Sequence, residues 1–334
     1  MTNIKHPDPI TYYLPAVGTW PASHYLLDGR CQDAIQLAQA SGRPLLVRGL
    51  PGTGKSDLAR AAAEFLQRAF VYEVVTARSE PQDLLWRFDA VARLADAQAQ
   101  QKERAQDIRH YIVPGALWWA IDWQRAEQWQ NDFKVHAQRP DAKLQDQKSQ
   151  AIDQQQRAQT KGCVLLLDEI DKADSELPNS LLEVLANSGF RLPCAEAYEI
   201  KASQCKPLII ITTNEDRELP AAFIRRCLVL PLAAGDDFQL WIKDRARSHY
   251  RDPELEPDDD GRPAMAQAIL DQAAKILMED RQQLRGEAHL PGLAEYLDLL
   301  RGLHQLAPDD PHTQQVWLER ICAFAYRKSA SLTG

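Results

Sequence analysis

The chain has 334 residues and a net charge of −8, with 45% hydrophobic and 26% charged residues, a composition typical of a folded globular protein of about two domains. The acidic balance and the lack of a long basic block argue against a non-specific nucleic-acid binder, and no apolar run approaches the ~18 residues of a membrane helix. No signal peptide is evident, and the six cysteines are scattered without a CxxC pair, so we expect reduced thiols and a cytoplasmic protein.

Five short apolar runs, each rich in Val, Ile and Leu, predict the strands of a sheet. They cover residues 43–49, 70–76, 163–169, 207–214 and 227–232. Because the runs are continuous and do not alternate with polar residues, we expect a parallel sheet that is buried on both faces. Segments with helical periodicity lie between the runs, among them 57–69 and 176–187, so the sequence predicts an α/β fold.

The remaining segments define the predicted domain boundaries. Residues 1–24, rich in Pro and aromatic residues, are interpreted as an extended lead-in, and residues 25–233 as the α/β core. Residues 234–334 contain four helical patterns and predict a smaller all-helical domain. Residues 124–160 are dense in Gln and charge and poor in aliphatic side chains. We interpret them as an insertion that buries little, either a solvated helical arm or a mobile loop, whose replacement should leave the melting temperature nearly unchanged.

A glycine-rich loop connects the first strand of the predicted core to a helix. It fits the pattern G-x-x-x-x-G-K-[ST], in which backbone N–H groups wrap a phosphate and the helix N-terminus faces the same anion. Lys55 would reach the β- and γ-phosphates of a nucleotide, and Ser56 would ligate Mg²⁺. The predicted phosphate-binding residues are Gly49, Leu50, Pro51, Gly52, Thr53, Gly54, Lys55, Ser56 and Asp57.

Polar residues end two further predicted strands. Asp168 can hold Mg²⁺, and Glu169 beside it can orient and deprotonate an attacking water. The alternative is that the two acids begin a helix and stabilise its dipole. Thr212, Thr213 and Asn214 end the next strand, where they either hydrogen-bond the γ-phosphate or the water, or only form a strand-ending turn.

The segments GLPGTGKS at 49–56, LLLDEIDKAD at 165–174 and ITTNEDRELPAAFIRRC at 211–227 resemble those of an AAA+ ATPase. They are most similar to the MoxR-like branch, close to the dynein-related group, and the resemblance extends over nearly all of the chain from about residue 25. It implies a three-layer P-loop core with five parallel strands in the order 5-1-4-3-2, followed by a helical lid. It also implies a homo-oligomeric ring of six subunits that binds ATP and Mg²⁺ between neighbours.

The resemblance assigns a role to each polar residue at the predicted site. By position, Lys55 and Ser56 belong to the Walker A motif, Asp168 and Glu169 to the Walker B motif, and Asn214 is sensor 1. Lys55, Glu169 and Asn214 are therefore predicted to act in catalysis, whereas Ser56 and Asp168 are predicted to bind the metal ion.

Two adjacent arginines precede the last predicted strand. The resemblance makes Arg226 an arginine finger for the ATP of the neighbouring subunit, with Arg225 as its close competitor. Because an unpaired buried charge is costly, we expect this pair to need an anion. The alternative is a set of local salt bridges to Asp216, Glu218 or the helical domain.

Two inserts also resemble those of the family. Residues 81–122 match a helix-two insert that faces the pore and partner proteins, and residues 188–207 match a β-hairpin before the sensor 1 strand. Trp118 and Trp119 would either contact a client protein or pack beneath the insert.

One position departs from the family pattern. Ala294 stands where an arginine, called sensor 2, is usual. Either Arg281, Arg285 or Arg301 substitutes for it, or closure of the lid is weakly coupled to the γ-phosphate.

Three functions follow from these observations. The first is an ATP-driven, chaperone-like remodelling machine, whose client class, by resemblance, includes von Willebrand A-type proteins. The second is a nucleotide-gated switch or scaffold in signalling or defence, which binds ATP but turns over slowly, as the missing sensor 2 arginine favours. The third is a nucleic-acid motor or a GTP-using restriction component, which the acidic charge and the lack of an Asn-Lys-x-Asp motif disfavour.

Overall fold

The computed structural model describes residues 6–135, 137, 139–140, 148–187, 189–192, 198–202, 205–235, 237–253, 262–284, 290–308 and 310–325. The chain divides into two compact units. An α/β unit comprises Met1–Ala22, Leu27–Gly49 and Lys55–Pro231, and a mainly helical unit comprises Ser23–Leu26, Leu50–Gly54 and Leu232–Gly334.

The structure contains the following strands and helices. The strands are β1 Ile10–Leu14, β2 Ser23–Leu27, β3 Leu45–Arg48, β4 Ala69–Val74, β5 Trp86–Phe88, β6 Ile112–Pro114, β7 Cys163–Asp168, β8 Gly189–Arg191, β9 Glu199–Lys201, β10 Leu208–Thr213 and β11 Leu228–Pro231. The helices are α1 Gly29–Ser41, α2 Lys55–Leu66, α3 Pro81–Leu85, α4 Ala90–Gln98, α5 Lys102–Gln106, α6 Ala116–Ile121, α7 Trp123–Asp132, α8 Lys148–Lys161, α9 Glu176–Asn187, α10 Ala221–Ile224, α11 Phe238–His249, α12 Gln267–Gln283, α13 Leu293–Leu306 and α14 Pro311–Ala325. Within the described residues, 3₁₀ turns cover Ile108–Tyr111 and Ile170–Lys172.

The α/β unit is built on a five-stranded parallel sheet in the order β11-β3-β10-β7-β4. Counted along the chain as core strands, this is the order 5-1-4-3-2, so the predicted sheet and its topology are confirmed. Every residue of β7 and β10 is buried, as continuous apolar runs require of central strands. The expected burial on both faces fails for the last strand, because Val229 of β11 is 41% exposed at the sheet edge, where the predicted order also places this strand.

The N-terminal segment is not merely an extended lead-in. β1 and β2 form a two-stranded sheet, and Leu14 is fully buried. Arg60 of α2, only 4% exposed, donates hydrogen bonds from Nη2 to the carbonyl oxygens of Pro15 at 2.6 Å and Pro21 at 3.1 Å. The segment is therefore fixed to the helix that follows the glycine-rich loop. Local composition could not reveal this, because the contact joins residues about 40 positions apart.

The expectation that residues 124–160 bury little is wrong for both of the helices they contribute to. In α7, Ala126 and Trp129 are 0% and 1% exposed and belong to the hydrophobic core of the α/β unit. In α8, the Gln154 side chain accepts a hydrogen bond of 2.8 Å from the backbone N–H of Phe70, on edge strand β4. Arg157 of the same helix pairs with Glu64 at 3.0 Å. The helices flanking residues 141–147, which lie outside the described part, are thus integral to this unit.

In the described residues, each of the two family-like inserts contains a short two-stranded sheet. β5 and β6 pair antiparallel in the first insert, and β8 and β9 do so in the second. Trp118 and Trp119 are 0% and 3% exposed, so they pack beneath the insert and the client-contact alternative is wrong for the unbound chain.

The second unit has its own hydrophobic core, formed mainly by α11, α12 and α13. Among its fully buried side chains are Ile242, Leu277, Tyr296 and Leu300. The Tyr296 hydroxyl donates to the backbone oxygen of Leu270 at 2.8 Å, so this polar group is satisfied. In the described part of the chain, no helix combines the length and apolar character needed to cross a membrane.

Candidate functional site

The glycine-rich loop lies between β3 and α2, as its sequence context predicts. Gly52 and Gly54 adopt φ values of 74° and 86°, a left-handed backbone that favours glycine. Thr53 Oγ1 donates to the Leu50 carbonyl oxygen at 2.9 Å, and Lys55 Nζ donates to the Gly49 carbonyl oxygen at 2.8 Å. Since α2 begins at Lys55, the loop leads directly into the N-terminus of a twelve-residue helix.

The predicted metal ligands are brought together by two neighbouring elements. Ser56 Oγ, in the first turn of α2, lies 2.9 Å from both carboxylate oxygens of Asp168, the last residue of β7. Thr212 of β10 donates from Oγ1 to Asp168 Oδ1 at 2.5 Å. Thr212 is fully buried, so it orients Asp168 and does not face a phosphate, which corrects that part of the prediction.

Glu169 follows β7 and contacts the end of the adjacent strand. Its backbone has φ 58° and ψ 49°, a conformation rare for a residue other than glycine. The Glu169 N–H donates to Thr212 Oγ1 at 2.9 Å, and the Asn214 side-chain amide donates to Glu169 Oε1 at 3.2 Å. Thr212 thus fixes the backbone of Glu169, and Asn214 fixes its carboxylate at the carboxyl edge of the sheet, a geometry that suits proton transfer.

The electrostatics centre on Lys55, which is 7% exposed. Burial lowers the pKa of its ammonium group below the usual value. The carboxylates of Asp168, Asp171 and Glu169 oppose this pKa shift. The Lys55 ammonium group has thus lost part of its hydration on burial, and an anionic ligand bound beside it would compensate for that loss.

Asp171 is a site residue that the sequence reasoning missed. It is 1% exposed, and its Oδ2 accepts a hydrogen bond of 2.9 Å from the Asp216 N–H, two residues after Asn214. Lys172 Nζ pairs with the Asp216 carboxylate at 3.0 Å. The turn after β7 is thus tied to the turn after β10. The third acid in the run DEID was the only signal for this contact in the sequence.

Two other residues near the loop have partners that the prediction did not anticipate. Asp57, predicted to bind phosphate, accepts a hydrogen bond of 2.6 Å from the buried guanidinium of Arg60 and therefore stabilises α2. Arg48, immediately before the loop, pairs with Glu215, whose φ of 65° is again left-handed.

The sensor 2 position belongs to the helical unit, as do loop residues 50–54. A β-carbon added to Gly52 would lie 2.6 Å from Ala294 Cβ, so Ala294 directly faces this glycine. Arg281 donates to the Pro291 carbonyl and lies over the Phe238 ring at 4.1 Å. Arg301 pairs with Asp298 at 2.7 Å, and the third predicted substitute, Arg285, lies outside the described residues.

Arg225 and Arg226 follow α10 and are both exposed, so the premise that this pair is buried is wrong. Within the described residues neither forms an ion pair, and the Asp216 of the local alternative is bound to Lys172. Arg226 Nη1 donates to the Ala222 carbonyl oxygen at 3.2 Å. An exposed guanidinium is solvated without an anion, so burial no longer argues for a partner in another subunit.

Residues 44–227, more than half of the chain, match the family model of the AAA domain, dynein-related subfamily. The chain belongs to this family. The match includes the glycine-rich loop, Asp168, Glu169, Asn214 and the arginine pair. An AAA domain implies nucleotide binding, in agreement with the loop geometry.

Solved structures also match this AAA protein, 624 chains in all. One is a candidate ATPase from Cytophaga hutchinsonii ATCC 33406, which is 12% identical and aligns over 89% of this chain and 80% of its own, with a TM-score of 0.38. The comparison with curated proteins gives no match.

Proposed function

We propose that this AAA protein binds ATP with Mg²⁺ and hydrolyses it. The observation that carries the proposal is the continuous hydrogen-bonded set of Ser56, Asp168, Thr212, Glu169 and Asn214, placed beside the glycine-rich loop. A hydroxyl and a carboxylate 2.9 Å apart supply the hard oxygen ligands that Mg²⁺ prefers, so the residues fit this ion. The bound ion would neutralise charge on the phosphates.

The chain's own residues divide the work of hydrolysis. The loop N–H groups and Lys55 would bind the phosphates, and Ser56 and Asp168 would hold Mg²⁺. Glu169 would accept a proton from the attacking water, and Asn214 would fix its carboxylate by binding Oε1. Glu169 Oε2 accepts no hydrogen bond within the described residues, which leaves it for the water.

The wider role that we propose is MoxR-like. The chain forms a ring, of six subunits by family resemblance, in which Arg226, or Arg225 beside it, extends to the ATP of the neighbouring subunit. The exposure of both guanidinium groups supports an action outside their own chain. The ring remodels a protein client in the cytoplasm, and a von Willebrand A-type protein is the client class that the resemblance suggests.

The second candidate function is a slow nucleotide-gated switch. It is favoured by Ala294 at the sensor 2 position and by the engagement of Arg281 and Arg301 with other groups. The hydrogen bond from Asn214 to Glu169 would also slow turnover if the bound state keeps the carboxylate away from the water.

Steady-state hydrolysis and calorimetry test the nucleotide chemistry. Lys55→Ala removes the mobile cation of the loop and should abolish ATP binding at micromolar concentration. Glu169→Gln should keep ATP binding but lose most hydrolysis, because an amide cannot take the proton. Unchanged affinity in Lys55→Ala would refute the phosphate site, and near-normal hydrolysis in Glu169→Gln would refute the base.

Wild-type turnover then separates the candidate functions. A kcat within the ordinary enzyme range of ~1–1,000 s⁻¹ supports the machine, and tight ATP binding with far slower turnover supports the switch. Stimulation by DNA would instead favour a nucleic-acid motor. A pull-down with ATP-trapped Glu169→Gln protein identifies the client.

A further inference from the structure

Arg43 is an exposed arginine that binds the backbone of the arginine pair. It follows Gly42, which ends α1 in a left-handed conformation with φ 65°, and it precedes β3. Its Nη2 donates to the carbonyl oxygens of Arg225 at 2.5 Å and Cys227 at 3.0 Å. Its Nε donates to the carbonyl oxygen of Arg226 at 3.1 Å. One guanidinium therefore contacts three consecutive carbonyl groups.

The turn that Arg43 contacts is anchored at both ends by buried side chains. Phe223 of α10 is fully buried, and Cys227 is 5% exposed. The Leu228 N–H donates to the Pro44 carbonyl oxygen at 2.8 Å and begins the pairing of β11 with β3. Between these anchors, the N–H groups of both arginines donate to carbonyl oxygens of α10, the Arg226 side chain donates to the Ala222 oxygen, and Arg43 binds the carbonyl oxygens of the pair.

We propose that Arg43 is a positioning residue that sets the direction in which Arg225 and Arg226 project. This inference rests on the proposed function, in which the pair acts on the neighbouring subunit's ATP. A planar guanidinium presents its donors in a rigid fork, which an ammonium group cannot reproduce. The hydrogen bonds to the Arg225 and Arg226 oxygens are exposed, where water can replace a lost donor, and the bond to the Cys227 oxygen is partly buried. Arg43 therefore contributes more to the orientation of the turn than to folding.

The first test compares Arg43→Ala with Arg30→Ala, which removes a different exposed arginine, in the first turn of α1. A misplacement of about 1 Å costs on the order of 100-fold in rate, so Arg43→Ala should lower kcat about 10- to 100-fold. ATP affinity and the melting temperature should stay close to those of the wild type. Arg30→Ala should be normal in all three measurements. Normal kcat in Arg43→Ala would overturn the proposal.

The second test asks whether the defect acts between subunits. Arg43→Ala subunits retain an intact loop, and Lys55→Ala subunits retain an intact arginine pair, so mixed rings contain some complete interfaces. Hetero-oligomers of differently tagged subunits, purified through both tags, should therefore be more active than either variant alone. A purely structural role of Arg43 within its own subunit would give no such recovery.

A parallel mixture of Arg226→Ala with Lys55→Ala subunits separates this inference from the proposed function. Recovery in that mixture, without recovery in the Arg43→Ala mixture, would overturn the role of Arg43 and leave the shared site standing. Failure of both mixtures, in verified hetero-oligomers, would overturn the shared site and the role of Arg43 together. Arg43→Lys keeps the positive charge and serves as a control should Arg43→Ala fold poorly. Because an ammonium group cannot reproduce the fork of donors, this variant should recover only part of kcat. A wild-type kcat in Arg43→Lys would show that charge alone suffices and would overturn the proposed role of the guanidinium.

Discussion

Trp129 offers the sharpest test of how the helix α7 supports the α/β unit. Its side chain is 1% exposed. The centroid of its ring system lies 4.4 Å from the ring centroid of Phe133 and 4.8 Å from that of Tyr198. Its indole N–H donates to the Ile112 carbonyl oxygen, on strand β6, at 3.0 Å. Replacing Trp129 therefore removes a large apolar surface and one buried hydrogen bond together.

The size of the effect follows from these contacts. A buried aromatic side chain covers ~150–250 Å², which at ~25 cal/mol per Å² corresponds to about 4–6 kcal/mol. Mutational losses for Trp→Ala in cores are about 3–5 kcal/mol, and we therefore expect about 4 kcal/mol for Trp129→Ala. Trp129→Phe keeps an aromatic ring but leaves the Ile112 oxygen without its donor, so it should cost about 1–3 kcal/mol.

Urea unfolding followed by far-ultraviolet circular dichroism measures both losses. Gln128→Ala is the matched control, because Gln128 is the preceding residue of α7 and is exposed. It should change the free energy of unfolding by less than about 0.5 kcal/mol. A loss below about 1 kcal/mol for Trp129→Ala would refute the packing of α7 on the core.

Three further predictions concern other parts of the chain. Asp171→Ala should lower kcat about tenfold and leave the ATP affinity unchanged, because the turn that carries Asn214 loses its hydrogen bond to Asp171. Asp171→Asn keeps a hydrogen-bond acceptor and should lose less activity. Equal kcat values in the two variants would contradict this prediction. Burial lowers the pKa of His249 to about 4, so below pH ~6.5 the unfolded chain binds more protons than the folded chain, and stability decreases as the pH is lowered. Between pH 7 and pH 5, the free energy of unfolding of the wild type should fall by about 2 kcal/mol more than that of His249→Gln, as measured by urea unfolding. Equal losses in the two proteins would refute this prediction. Burial raises the pKa of the Cys163 thiol to about 12. Iodoacetamide at pH 8 should therefore modify Cys163 far more slowly than the partly exposed Cys205, as measured by peptide mass spectrometry. Similar rates at the two cysteines would contradict the burial of Cys163.

The sequence predicted those features that depend on local pattern. Continuous apolar runs marked the five strands of the sheet, and the spacing of the glycine-rich loop placed it between β3 and α2. The acids after β7 and Asn214 after β10 were each predicted as site residues at the end of a strand, and the bond between Glu169 and Asn214 joins them.

The failures share a physical cause, since each depends on a partner far away in the chain. The average composition of residues 124–160 concealed Ala126 and Trp129, which lie three residues apart on one face of α7. Arg225 and Arg226 were expected to be buried because of the continuous apolar run that follows them, but that run forms an edge strand, where the predicted strand order also places it. No local signal connects Arg43 to them, because about 180 residues lie between.

The backbone at Glu169 and Glu215 has an evolutionary consequence. Both residues hold the left-handed conformation, with φ of 58° and 65°, at the ends of adjacent strands. Such a conformation costs about 1 kcal/mol or more for a side chain other than glycine, so a glycine at either position would relieve strain. Selection for thermal tolerance alone would thus favour Glu169→Gly, which deletes the carboxylate that the proposed chemistry needs. A directed-evolution screen scored only on heat resistance should therefore enrich inactive chains at this position.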